Sequence, residues 1–269
     1  MLMKITLGQI HLQAGNIEHN LDRARQGLEE AASQGGELVL LPELWSSGYD
    51  LSNARFLSAA TPAILSELQA ISQTHQLRIG GSLLQQEDEL VFNSFFLVQP
   101  NLPSVVYRKV HLFQQMDEHQ WLSPGNHLVT TNFNGLKAGL GICYDLRFPE
   151  FFRSYALHGI ELFLLCAEWP VRRINHWNTL LRARAIENQG FLAAVNAVGT
   201  SGNVEYGGCS AVISPWGETL LQASADHEDV ITCEIDPAQI ARVRSHLPVF
   251  SDRRPEVYKK PIFDSPETS

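Results

Sequence analysis

The chain has 269 residues, 44% of them hydrophobic, and a formal net charge of -9 from 20 Lys+Arg against 29 Asp+Glu. That length and apolar content suit a soluble globular protein with a sizeable core, as one large α/β domain or two small ones. The acidic balance argues against nonspecific binding to nucleic acid or an anionic membrane, and the scattered cysteines Cys143, Cys166, Cys209 and Cys233 form neither a CxxC pair nor a zinc spacing.

A disulfide scaffold is not expected at this size. Gln9, His11 and Gln13 break the one early apolar run that a secretory signal would need, and the longest apolar segment, around Leu162 to Ala167, is too short to cross a bilayer. These features predict a cytoplasmic protein with reduced thiols.

Ile5 to Leu12 alternates imperfectly and reads as a strand. Ile17 to Ser33 follows as a helix with Leu21, Ala24, Leu28 and Ala31 on one face, stopped by Gly35-Gly36. Leu38 to Leu41 is a continuous apolar run, typical of a strand buried on both faces, and it ends at Pro42-Glu43. A second helix fits Pro62 to His75, with Ile64, Leu68 and Ile71 inward. Leu77 to Leu84 and Leu90 to Val98 suggest a hairpin around Glu87-Asp88-Glu89. Val105 to Lys109 is a further strand, and Leu112 to Gly125 a long loop.

Ala138 to Ile142 reads as a short apolar strand that runs into Cys143 and then bends into a helix. Leu162 to Leu165 is a strand, and Val171 to Asn188 a helix carrying Ile174, Trp177, Leu181 and Ile186. Phe191 to Asn196 and Cys209 to Ser214 are strands, and Pro215-Trp216-Gly217-Glu218 turns into strands Thr219 to Ala223 and Asp229 to Ile235. Pro237 to Ser245 makes a last short helix, and residues 248–269 form a Pro-rich surface tail. No low-complexity linker or tandem repeat divides the chain, so a single domain over 1–269 is expected.

The chemistry gathers where apolar strands stop. A cysteine at a strand-to-helix bend faces the positive end of the helix dipole, which favours the thiolate, although a free cysteine in an apolar run also fits a buried small hydrophobe. Glu43 and Lys109 likewise follow apolar runs. Alone, the first could cap a backbone N–H and the second could be a solvated charge. Together, a carboxylate to take the thiol proton, a thiolate to attack and an ammonium to stabilise an oxyanion make an acyl-transfer site.

These residues resemble the nitrilase, or carbon–nitrogen hydrolase, superfamily. Leu40-Leu41-Pro42-Glu43 is similar to its glutamate motif, Tyr107-Arg108-Lys109-Val110-His111-Leu112-Phe113 to its lysine motif, and Gly141-Ile142-Cys143-Tyr144-Asp145-Leu146-Arg147-Phe148-Pro149-Glu150 to its cysteine motif. The resemblance implies a four-layer α-β-β-α sandwich. It makes Glu43 the general base, Lys109 the oxyanion-stabilising cation and Cys143 the nucleophile, with the Tyr144 N–H completing the oxyanion hole. Glu118, seven residues before Gly125, matches a second family glutamate that would hold Lys109 or orient the leaving group. Asp117 beside it and a plain solvated loop acid are the alternatives. The resemblance implies hydrolysis through a cysteine thioester, with no metal or organic cofactor needed.

The Cys-Tyr-Asp-Leu-Arg-Phe-Pro-Glu context looks like the amidase branch that includes omega-amidases and deaminated-glutathione amidases, rather than the nitrilases with their Cys-Trp-Glu. Glu168-Trp169-Pro170, His176-Trp177 and the run from Arg182 to Gln189 look like that branch too, with roles in the pocket wall and a dimer interface. Trp177, at helical spacing, reads as core. A small ω-amide such as α-ketoglutaramate or succinamate needs a cation for its distal carboxylate, and Arg172 and Arg173 are the nearest candidates. Tyr49, Phe113, Tyr144 and Trp169 are candidate pocket residues, and a homodimer or higher homo-oligomer is the implied assembly.

Rival readings are an N-carbamoyl amidohydrolase, a deaminated-glutathione amidase and an inactive scaffold member. A papain-like pairing of Cys143 with His111, His119, His158 or His176 lacks its surrounding motif. His-Glu-x-x-His is absent, and Gly139-Leu140-Gly141 lacks the third glycine of a dinucleotide loop.

Overall fold

The computed structural model describes residues 2–258. The first half of the chain supplies β1 (Met3–Gln9), β2 (Leu38–Leu40), β3 (Arg78–Glu87), β4 (Leu90–Gln99) and β5 (Leu102–Arg108). The second half supplies β6 (Thr130–Phe133), β7 (Leu136–Ile142), β8 (Leu162–Ala167) and β9 (Phe191–Asn196), then β10 (Val198–Ser201) and β11 (Val204–Gly207). It continues with β12 (Ala211–Ile213), β13 (Thr219–Gln222) and β14 (Asp229–Ile235). Two mixed six-stranded sheets result, ordered β14-β1-β2-β3-β4-β5 and β13-β12-β9-β8-β7-β6, with β10-β11 as a separate hairpin. Because β14 pairs antiparallel with β1, the first sheet uses both ends of the described chain.

Period-2 alternation on β2 shows how the layers stack. Leu38 and Leu40 join the core with Ile5, Leu7 and Phe95 of the first sheet and Leu140, Ile142 and Leu164 of the second. Val39, and Leu41 just after the strand, face the other way, packing with Ala24, Leu28, Ile64 and Leu68 of helices Ile17–Ser33 and Thr61–His75. Helices Pro149–Leu157 and Ile174–Asn188 cover the second sheet through Phe151, Phe152, Tyr155, Trp177 and Leu181. The architecture is the expected α-β-β-α sandwich.

Several details differ from the sequence reading. The stretch from Leu112 to Gly125 is not all loop, since Gln114–Met116 and Glu118–Trp121 make short helical turns. Ile71 is only partly buried, and Ile186 is half exposed. On helix Ile174–Asn188 the inner face is Trp177, Leu181, Arg184, Ala185 and Asn188. Five positions beyond Leu181, Ile186 lies about 140° round the helix and so points outward. The expected surface tail is described only as far as Tyr258; residues 259–269 lie outside the described residues.

Candidate active site

The ends of strands from the two stacked sheets bring the chemistry together. Beyond β2, Leu41 N–H bonds the Gly80 carbonyl at 2.7 Å and Glu43 N–H bonds the Ala167 carbonyl at 3.3 Å, so the glutamate sits between β3 and the end of β8. Its carboxylate is wholly buried. Oε1 accepts Lys109 Nζ at 2.7 Å and Asn93 Nδ2 at 2.8 Å, while Oε2 accepts the Glu168 N–H at 3.0 Å. Asn93, on β4, carries no sequence motif, and only the register of the sheet delivers it.

Lys109 directly follows β5 and is pinned by backbone bonds from its N–H to Asn93 at 2.9 Å and to its carbonyl from Gly125 at 2.8 Å. Its ammonium also donates to Glu118 Oε1 at 2.5 Å. Glu118, buried as well, accepts the Tyr49 hydroxyl on Oε1 and the Phe113 N–H on Oε2 at 2.7 Å. Burial alone would lower the lysine's proton affinity, but the Glu118 and Glu43 carboxylates override it and hold the ammonium well above its ordinary pKa. Glu118 is therefore part of the buried cluster, and the solvated-acid alternative falls.

Cys143 follows β7 at φ 44°, in the left-handed region that a side chain rarely occupies, and opens the helical turn Cys143–Arg147. Leu44, Tyr49 and Asp117, in the loops around it, are also left-handed. Such non-glycine strain persists where the surroundings over-determine it. The thiol faces the Glu43 carboxylate. Here the structure corrects a sequence expectation. The turn after Cys143 is only five residues long, and burial, then the negative charge of Glu43, push the thiol well above its ordinary pKa. The resting group is a neutral thiol. Burial also raises the proton affinity of Glu43, against the pull of Lys109, which suits a base acting near neutral pH.

His111 does not serve the cysteine. Its Nδ1 lies 2.7 Å from Asp145 Oδ1, and its ring stacks on Phe148 at a centroid distance of 3.7 Å.

A cleft opens on Cys143 and is lined by Tyr49, Phe113, Met116, Tyr144, Arg147, Glu168, Trp169, Pro170 and Arg173. All five expected pocket residues are therefore on its wall. Arg172 is exposed and is not, and Trp177 is core, its indole N–H bonding the Cys209 carbonyl at 2.9 Å. Sequence reasoning missed Arg147, and it placed the Glu168-Trp169-Pro170 segment at the pocket wall but singled out only Trp169 there. Arg147 lies 4.7 Å from the Trp169 ring and Arg173 5.1 Å from the Phe113 ring, and neither forms a salt bridge among the described residues. Burial, then the positive charge of Arg173, lowers the proton affinity of Arg147, a sign of two like charges converging on one space.

The carbon–nitrogen hydrolase family matches residues 4–245 of the chain. A 2-oxoglutaramate amidase from Bacillus subtilis (strain 168) is 37% identical over 261 residues, covering 95% of this chain and 100% of the relative. XC1258 from Xanthomonas campestris, a CN-hydrolase superfamily protein solved with an arsenic adduct in its active site, superposes with a TM-score of 0.89 at 31% identity, covering 94% of this chain and 98% of that one. A glutamate-to-glutamine mutant of the amidase from Nesterenkonia sp. AN1 superposes with a TM-score of 0.84 at 27% identity, covering 97% of each chain. That structure shows covalent addition of the acetamide moiety of fluoroacetamide at the active-site cysteine.

Proposed function

The chain belongs to the carbon–nitrogen hydrolase family, and on that premise we propose that it is an omega-amidase, hydrolysing the terminal amide of a small dicarboxylic half-amide such as α-ketoglutaramate or succinamate. The observation that carries the substrate class is the pair Arg147 and Arg173, without carboxylate partners among the described residues, on the wall of the cleft that opens on Cys143. Guanidinium groups bind a carboxylate in bidentate fashion, and such a pair on the cleft wall favours an acid over a neutral amide.

In this reading Glu43 takes the Cys143 proton as sulfur attacks the amide carbon. The oxyanion is received by Lys109 Nζ and by the N–H of Tyr144, which as the second residue of a helical turn has no carbonyl behind it. Glu43 returns the proton to the departing ammonia, leaving a thioester. The same carboxylate then takes a proton from water, the hydroxide adds to the thioester, and the proton goes back to the cysteine sulfur as the acid leaves. Glu118 fixes Lys109, since its carboxylate accepts from the ammonium within the buried cluster.

The reading extends to a homodimer in the cytoplasm. Ile186 on helix Ile174–Asn188 lies beside Gly217, and Ile186, Trp216 and Leu220 are exposed large hydrophobics on one side of the second sheet, an apolar strip that a second copy would cover. No helix among the described residues is long and apolar enough to cross a membrane.

The test is a panel of α-ketoglutaramate, succinamate, glutamine, asparagine and deaminated glutathione, read by ammonia release. Preference for the short half-amides supports the reading. Preference for neutral amides overturns it, and carbon dioxide released with ammonia from carbamoyl amino acids would mark the carbamoyl branch instead.

A further inference from the structure

Among the described residues Glu168 is the only carboxyl on the wall of the cleft, and Glu43 and Glu118 are not part of its lining. It is 1% exposed, and neither of its carboxyl oxygens has a hydrogen-bond partner of good geometry among the described residues, although the Tyr206 hydroxyl lies beside it. A buried carboxyl without partners is expensive, and the fold goes to some length to place it there. Its backbone N–H is fixed on Glu43 Oε2, the next N–H, of Trp169, is fixed on Asn196 Oδ1 at 2.6 Å, and the β10-β11 hairpin bridges Pro170 to Tyr206. A side chain held so firmly and left unsatisfied beside the nucleophile is waiting for a group that arrives with the substrate.

Resting on the omega-amidase reading, we propose that Glu168 is a specificity-determining residue that accepts a hydrogen bond from the N–H2 of the substrate's carboxamide. Lys109 is already shared by Glu43 and Glu118, and among the described residues Glu168 forms no salt bridge with Arg147 or Arg173 on the same wall. Burial pushes the Glu168 carboxyl well above the usual carboxylate range, and Glu43 adds to that push. A neutral carboxyl offers one donor and one acceptor. In this proposal the O–H turns to the neighbouring Tyr206 oxygen when substrate binds, and the C=O is left for the amide nitrogen. An ester or a nitrile of the same acid has no N–H to give and leaves that acceptor unpaired. Glu168 exchanges no proton in the reaction, and Glu43 alone supplies the proton that leaves with ammonia.

Binding separates this role from packing and from turnover. In the full-length Cys143→Ala protein, the dissociation constants of succinamate and of monomethyl succinate are measured by calorimetry, alone and combined with Glu168→Met or Glu168→Gln. Losing the acceptor in Glu168→Met should weaken succinamate about tenfold and the ester less than about threefold, the scale of one neutral hydrogen bond in a dry site. The carbonyl of Glu168→Gln should keep succinamate within about threefold of its parent. Parallel losses on both ligands, or a tenfold loss in Glu168→Gln, overturn the inference. If Glu168→Met does not fold, the Gln variant decides by the same thresholds. Normal amide turnover by the unmutated chain with a failed binding pattern overturns this inference alone, whereas no turnover of any half-amide overturns the substrate reading and this inference with it.

Discussion

The Tyr107 hydroxyl donates to Asp145 Oδ2 at 2.6 Å, so one buried carboxylate ties the strand that delivers Lys109 to the turn that carries Cys143. The same carboxylate accepts the Ile142 N–H at 2.9 Å and the His111 N–H at 3.2 Å, while the Tyr107 oxygen accepts the Val110 N–H at 3.1 Å. Arg184 on the outer helix adds a bond from Nε to the Leu146 carbonyl at 3.0 Å. The spacing of nucleophile and lysine is set by this network, not by either motif alone.

Removing the Asp145 carboxylate should therefore disturb both stability and chemistry. Asp145→Ala leaves several buried donors without an acceptor, each costing about 1–3 kcal/mol. A fall in melting temperature of at least about 6 °C is expected at this size. Turnover should fall with it, and normal kcat in a destabilised but folded variant would show that the network does not position the site.

Glu43→Gln should keep the fold, because the amide oxygen can still accept from Lys109, yet cut turnover at least about a hundredfold, the low end for loss of an acid–base group. Since the working form of Glu43 is unprotonated and burial raises its proton affinity, wild-type kcat/KM should fall as pH drops, with a midpoint above the usual carboxylate range. A pH–rate profile flat down to pH 4, or near-normal turnover in the variant, would refute the role.

Arg173→Ala and Arg147→Ala should raise KM for succinamate about tenfold or more while changing kcat/KM for a neutral short-chain amide by less than about threefold, because a charge-assisted bond is lost only where the substrate has a carboxylate. Steady-state kinetics on both substrates check it. Equal losses on both would mean that the arginines support the cleft and do not read the acid.

Glu168 makes a prediction about stability. Its folded-state pKa is raised by burial, so the folded protein keeps a proton that the unfolded chain gives up in the ordinary glutamate range. Stability is then full at low pH and is lost as pH rises from that range toward the folded pKa. Glu168→Gln, which cannot ionise, escapes this loss. Glu43, Lys109, Cys143 and Tyr206 face the same space and remain unchanged in the comparison. The variant should melt at least about 3 °C above wild type at pH 7, with the gap closing toward pH 4. A gap independent of pH would show that Glu168 is not neutral in the folded state.

Strong periodicity made much of the fold legible. Helix Ile17–Ser33 has the bounds its apolar face and the following glycines predict, and the run at Leu38–Leu40 is the doubly buried strand it resembles. The β10-β11 hairpin was not legible, because Val198–Gly207 is short, polar and glycine-rich and pairs without a buried alternation. Glu43, Lys109 and Cys143 stood out because charged or reactive groups end apolar runs. Arg147 did not, since only the tight helical turn after Cys143 swings it onto the cleft, and Asn93 reaches Glu43 only through pairing across 50 positions of sequence.

The most direct measurement of the central claim is ammonia release from α-ketoglutaramate by the wild-type chain and by Cys143→Ala. Wild type should release ammonia and 2-oxoglutarate in equal amounts through a thioester detectable by mass spectrometry on Cys143, and Cys143→Ala should show no release above the uncatalysed rate. Release that persists in Cys143→Ala, or wild-type inactivity on every amide offered, would contradict the account.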